Sequence, residues 1–271
     1  MKKILVTTDF SAIAQNAVNY AADMAVAVKA DLVLLHIVQT PVTYSEVPLL
    51  LNVEDLMRTA EKDLQDIKEN LKHKTENRIT INIETGIGSF FNELKDICER
   101  IKPYAIVMGS QGKTAAEHLL FGSHATHAIR ELGWPVITVP PTVTFSSIKK
   151  VGLATDLTKV VETTPIDEIK MLVNDFNAEL HILNIGRKEV FSADIVFESG
   201  LMQEMTMSMN PKFHFIAKEN VEEAIIEFVD QKKIDLLIVI PKRHNLLDRL
   251  VHTSLSKGLV LHSHIPVMAV H

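Results

Sequence analysis

The residues best suited to hold a ligand fall in two short segments, each just past an apolar run. The first is Thr7-Thr8-Asp9-Phe10-Ser11. A carboxylate at the end of a strand can accept hydrogen bonds from a sugar or a base. Asp and Ser are also preferred just before a helix, where their side-chain oxygens cap free N–H groups, and the two roles are compatible. The second segment reads Met108-Gly109-Ser110-Gln111-Gly112-Lys113-Thr114 and resumes as Leu120-Phe121-Gly122-Ser123-His124-Ala125-Thr126. Glycine lets backbone approach a phosphate, and Gly122-Ser123 stands where a helical stretch begins. Free N–H groups and the positive end of a helix dipole would face an anion there. Ordinary turns and caps use the same glycines. Lys113-Thr114 invites comparison with a G-x-x-x-x-G-K-T phosphate loop, but the first glycine of that pattern falls on Val107, inside an apolar run.

Catalysis has less support than binding. No Gly-x-Ser-x-Gly, His-Glu-x-x-His or paired-cysteine motif supplies an activated nucleophile or a metal. His124, beside the phosphate approach, suits either slow hydrolysis or a plain surface position on a helix. Cys98, the only cysteine, lies between Ile97 and Glu99 in a periodic stretch and reads as packing. Five of the 12 histidines (His244, His252, His262, His264 and His271) fall in the last 28 residues, with spacing that matches no standard zinc pattern. Lys242, Arg243, His244, Arg249 and His252 form either an anion or effector pocket or a solvated basic face.

These segments need a scaffold, and its outline comes from internal repetition. Lys2 to Ser11 is echoed by Lys149 to Thr158, with Thr8-Asp9 matching Thr155-Asp156. Ala30 to Ile37 pairs with Ala178 to Ile185, and Trp134 to Val139 with Ile265 to Val270. Three matches in the same order indicate tandem duplication, expected as domains 1–141 and 149–271 joined by a linker at 142–148, where the Pro/Ser/Thr stretch Pro140 to Ser147 marks the joint. Apolar runs at 3–7, 32–38, 79–83, 104–108 and 136–139 have strand length and alternate with helical periods at 13–29, 53–73, 89–101 and 123–132. The second half repeats this with strands near 150–154, 180–185, 212–216, 235–240 and 267–270. Its helices are expected near 161–176, 219–232 and 252–262. Met202, Met205, Met207 and Met209 mark either a plastic helix face or adaptable core filling. Strands buried on both faces by helices make a parallel sheet, so the fold class is α/β.

The chain has 271 residues, 46% hydrophobic and 23% charged, with a net charge of −6. That length suits two domains, and the charge balance supplies no concentrated basic surface for DNA. One cysteine excludes an internal disulfide framework. The apolar stretch at Ile4–Val6 is too short for a signal peptide, and no later run has the 18 or so residues a membrane span needs. A soluble cytoplasmic protein is expected.

The spacing Gly109-x2-Gly112-x9-Gly122-Ser123, with Thr8-Asp9-Phe10-Ser11 and Leu35-His36-Ile37-Val38, resembles the universal stress protein family over essentially the whole chain as two tandem domains. The resemblance implies a Rossmann-like, adenine nucleotide α-hydrolase-like, five-stranded parallel sheet of order 3-2-1-4-5 in each domain, helices on both faces. It also implies domains paired through their last strands, with a homodimer as a further option. In members that bind ATP or AMP, residues matching Thr8, Asp9 and the backbone near Ile37 or Val38 sit at adenine and ribose, and Met108 flanks the base. Gly109, Gly112, Gly122 and Ser123 surround ribose and phosphates. Where such members often continue Gly-Ser-Val-Thr, this chain has His124-Ala125 after Gly122-Ser123, so a phosphate-facing hydroxyl is replaced. The second half retains Thr155-Asp156 but has Pro241, Lys242, Arg243, His244, Thr253 and Ser254 where the glycine motif would lie. The resemblance thus implies a stress-linked sensor or adaptor with one adenine nucleotide site, in the first domain, and an unidentified protein partner. A weak nucleotide hydrolase at that site and an interaction module without nucleotide are the alternatives.

Overall fold

A computed structural model describes residues 1–39, 52–110, 123–186, 193–241 and 263–271. Its centre is one ten-stranded sheet. In the first half, β1 (Lys3–Thr7), β2 (Asp31–Val38), β3 (Ile81–Ile87), β4 (Ala105–Gly109) and β5 (Val136–Val139) alternate with α1 (Ala12–Val28), α2 (Val53–Lys74), α3 (Phe90–Ile101) and α4 (Ser123–Glu131). In the second, the strands are β6 (Lys150–Ala154), β7 (Glu179–Gly186), β8 (Lys212–Ala217), β9 (Leu236–Val239) and β10 (Val267–Ala269). The helices there are α5 (Val160–Thr163), α6 (Ile166–Phe176), α7 (Ala193–Thr206) and α8 (Val221–Lys232). The spatial order is β3-β2-β1-β4-β5-β10-β9-β6-β7-β8. All neighbours are parallel except β5 and β10, which run antiparallel.

The core explains why these segments take these forms. Ile4, Leu5 and Val6 of β1 are all fully buried, because α1 covers one face of the sheet and α3 and α4 the other. Alternate residues therefore enter two cores, Ile4 and Val6 on the α1 side and Leu5 on the α3 and α4 side. Burial of one such side chain contributes about 1.5–3 kcal/mol. Helix α1 starts where Ser11 accepts a hydrogen bond from the Ala14 N–H, and ends at Lys29 in the left-handed region, its N–H bonded to Ala25 and Val26 carbonyls. Small buried Ala17, Ala21 and Ala25 bring its axis close to the sheet.

Strand β5 is buried along its whole length, and a bare edge there would leave ladder groups unpaired. The second half covers it. Val267, Met268 and Ala269 stand opposite Thr138, Ile137 and Val136, and the buried Thr138 hydroxyl donates to the Val267 carbonyl at 3.2 Å. The expected linker carries no helix or strand but is packed. Phe145 lies between Tyr20 and Phe176 at ring distances of 5.2 and 6.2 Å. Ile148 is buried, and Asn16 donates to the carbonyls of Pro140 and Val143 at 3.0 and 2.9 Å. The ion pair Lys2–Asp175 also joins the halves.

Two sequence expectations change. The helix expected at 161–176 is two helices, because Pro165 lacks an N–H and holds Thr164 extended (φ −98°, ψ 115°). Strand β3 extends to Ile87 rather than ending near residue 83, because its pairing with β2 continues to Val38 opposite Ile87, although Glu84 and Thr85 interrupt the apolar run. The stretch 190–209 contains α7 and a 3-10 turn over Met207–Met209. Met202 and Met209 are buried there and Met205 packs against the core, whereas Met207 is exposed. The helix expected near 252–262 lies outside the described residues.

Candidate functional site

In an open α/β sheet the crevice for a ligand lies beyond the carboxyl ends of the strands, where the strand order reverses. In the first half that point is between β1 and β4. The loop after β1 is fixed by its own residues. The Thr8 N–H donates to the Leu35 carbonyl at 2.9 Å. The Thr8 hydroxyl and the Asp9 carboxylate accept from the N–H groups of Phe10 and Ser11, each at 3.0 Å. Phe10 takes a left-handed conformation (φ 62°) to make this turn. His36 on β2 braces it from the side, donating from Nδ1 to the Thr8 carbonyl at 2.8 Å, with its ring 4.4 Å from that of Phe10. Asp9 therefore has a local structural role and also stands, partly exposed, beside the crevice.

The other expected residues are placed as follows. Thr8, Ile37, Val38 and Met108 are buried, with Ile37 and Met108 in the core under α3 and α4. Gly109 is partly exposed at the end of β4, and Ser110 ties the chain to β5 by donating its N–H to the Val139 carbonyl at 3.0 Å. Ser123 opens α4, His124 is exposed on its first turn, and Ala125 is buried beneath it. Gly112 and Gly122, with Lys113 and Thr114, lie outside the described residues. So do Lys242, Arg243, His244, Arg249, His252, Thr253, Ser254 and His262.

Around His124 the fold assembles residues that spacing did not single out. Phe90 stacks on its ring at 4.2 Å and Phe91 meets it edge-on at 5.6 Å. Gln39, just past β2, approaches it at 3.3 Å between Nε2 atoms, so the amide donates to a neutral imidazole. Removal of water by this packing pushes the His124 pKa down; the Asp9 carboxylate opposes that shift and His127 adds to it. The contact with Gln39 spans the ends of β2 and α4 across the crevice. A signal for this group existed in Gly86-x-Gly88-Ser89-Phe90-Phe91. Gly88 sits at φ 124°, donating its N–H to the Val38 carbonyl at 3.0 Å, and so turns the chain into α3 and delivers both phenylalanines. Cys98 is fully buried and its thiol is pushed up to about 12, as its packing role requires. Among the described residues, no group of three or more His, Cys, Asp or Glu side chains is placed to hold a metal ion, and no helix is long and apolar enough to cross a membrane.

The loop after β6 repeats the β1 loop bond for bond. The Thr155 N–H donates to the Leu183 carbonyl at 3.0 Å, and Thr155 and Asp156 accept from Leu157 and Thr158 at 3.1 and 3.2 Å. Leu157 has φ 51°. Asn184 replaces His36, donating to the Thr155 carbonyl at 3.1 Å.

Residues 1–140 and 211–271 match the universal stress protein family. Two universal stress proteins of Methanocaldococcus jannaschii are similar in sequence. MJ0577 is 29% identical over 153 residues, covering 51% of this chain and 94% of its own. MJ0531 is 28% identical over 139 residues, covering 51% of this chain and 81% of its own. In fold, the chain resembles the crystal structure of a universal stress protein from Archaeoglobus fulgidus, with TM-score 0.74, 17% identity and coverage of 99% and 97% of the two chains.

Proposed function

The chain belongs to the universal stress protein family, and from that premise we propose that it is a cytoplasmic stress-response protein that binds one adenine nucleotide, ATP or AMP, in its first domain and acts as a sensor or adaptor. The domains are 1–141 and 149–271, joined by 142–148. Asp9 and the backbone of Ile37 and Val38 receive the base and ribose, with Thr8 shaping that wall and Met108 beneath the base. Gly109, Gly112, Gly122 and Ser123 receive ribose and phosphates, with His124 and Ala125 completing the first turn of α4. The observation that carries this reading is the β1 loop. Its own hydrogen bonds hold Asp9 partly exposed at the switch point, beside a glycine at the end of β4. A preorganised acceptor of this kind lowers the ordering cost of binding. Nucleotide then biases the chain between partner-binding states through its differential affinity for them. The two domains pair within one chain, and a homodimer is a further option.

Calorimetry of the full chain with ATP and AMP tests this. One site per chain is expected. Asp9→Asn keeps the oxygen that accepts from Ser11 while removing the charge, and is expected to weaken binding at least about tenfold, roughly 1.4 kcal/mol; Asp156→Asn should leave it unchanged. No heat with either nucleotide would overturn the reading, and a stoichiometry of two would overturn the asymmetry between the domains.

A further inference from the structure

We propose that His181 and His214 form an acid-operated latch that fastens the terminal strand β8 to β7. The pair lies in the second half, facing α8 and apart from the nucleotide crevice, so the inference stands independently of that reading. His181 is 3% exposed. Its Nε2 bonds the Glu179 carboxylate, and its Nδ1 lies 3.0 Å from His214 Nε2. The rings stack at 5.1 Å with an interplanar angle of 7°, and Phe228 of α8 closes over them at 4.8 Å from His214 and 6.2 Å from His181.

The proton positions follow from the donors and acceptors. An ionised carboxylate only accepts, so His181 carries its proton on Nε2 and accepts at Nδ1. His214 must then donate from Nε2. A first added proton goes to His214 Nδ1, outside this chain of bonds; every bond survives, and the closed state instead bears the cost of a charge held under Phe228 beside Lys212 and Lys232. A second would put hydrogens on both His181 Nδ1 and His214 Nε2, N–H against N–H, and the bond between the strands is lost.

On balance the surroundings oppose charging too, although Glu179 favours it on both rings. Glu179 is the one carboxylate among the charged groups acting on both rings, and it also pairs with Lys212 of β8 at 2.5 Å. Lys212 acts on both rings, Lys150 of β6 on His181 and Lys232 of α8 on His214, each disfavouring imidazolium. With desolvation as the largest cause, both histidines are held below their ordinary range, while Glu179 is held down to about 2 and stays ionised. The sign follows. Open β8 has ordinary histidines that take up protons below about pH 6.5, whereas the closed pair resists, so closure is favoured at neutral pH and lost as pH falls.

Hydrogen exchange of the full chain, corrected for the intrinsic pH dependence, reads this directly. The opening constant of β8 amides should rise about tenfold per pH unit below about 6.5 for each proton taken up on opening, with β2 and β3 amides as the internal comparison. His214→Gln retains an N–H donor for His181 Nδ1 but cannot titrate, and should flatten that slope by about one proton. Wild-type β8 exchange without this slope, or a His214→Gln slope equal to wild type, would overturn the latch. Imidazole titration by NMR on the unmodified chain tests it without any variant. Midpoints below the ordinary value are expected for His181 and His214, and two independent midpoints near 6.5 would overturn it.

Discussion

Ile137 and Met268 face one another across the join between β5 and β10, 0% and 2% exposed, on the α1 side of the sheet. Truncating either to alanine removes a buried side chain and leaves a cavity that the rigid sheet cannot close, costing about 2–5 kcal/mol each. If the strands meet in this register the two losses overlap, since the first truncation already removes the contact made by the second. The double variant should then be less destabilised than the summed singles by roughly 0.5–3 kcal/mol, outside the 0.3–0.5 kcal/mol within which unrelated sites add. Urea unfolding supplies the four values. It can be followed by circular dichroism and by the fluorescence of Trp134, the only tryptophan, which packs two residues before β5. Strict additivity would refute the register, and a Trp134 transition indifferent to Met268→Ala would refute the shared sheet.

Phe90→Ala should raise the His124 pKa towards its ordinary value, because water regains the face that Phe90 covers; an NMR titration midpoint that stays put would show that the stack is not the cause. Ser11→Ala deletes the oxygen that accepts from Ala14 at the start of α1 and should cost about 1 kcal/mol, within roughly 0.5–2. A urea midpoint equal to wild type would show the cap to be idle.

Much of this protein is local and therefore legible in sequence. Apolar runs of strand length alternating with helical periods dictate the α/β class, since both faces of each strand must be buried. The repeat of Thr8-Asp9 as Thr155-Asp156 announces two like loops, because a turn closed by its own side chains needs only neighbouring residues. The break at Pro165 was also local, but the apolar period runs straight through it and hides it. Other features depend on residues far apart in the chain. Whether β5 ends as an edge or joins β10 in antiparallel register is settled by burial of both strands at once. His36 against Thr8, Gln39 and Phe90 around His124, and His181 against His214 are set side by side only when parallel crossovers bring their strands and helices together. Residue type names a group that can accept or donate, whereas the distance to its partner comes from the packing of the sheet.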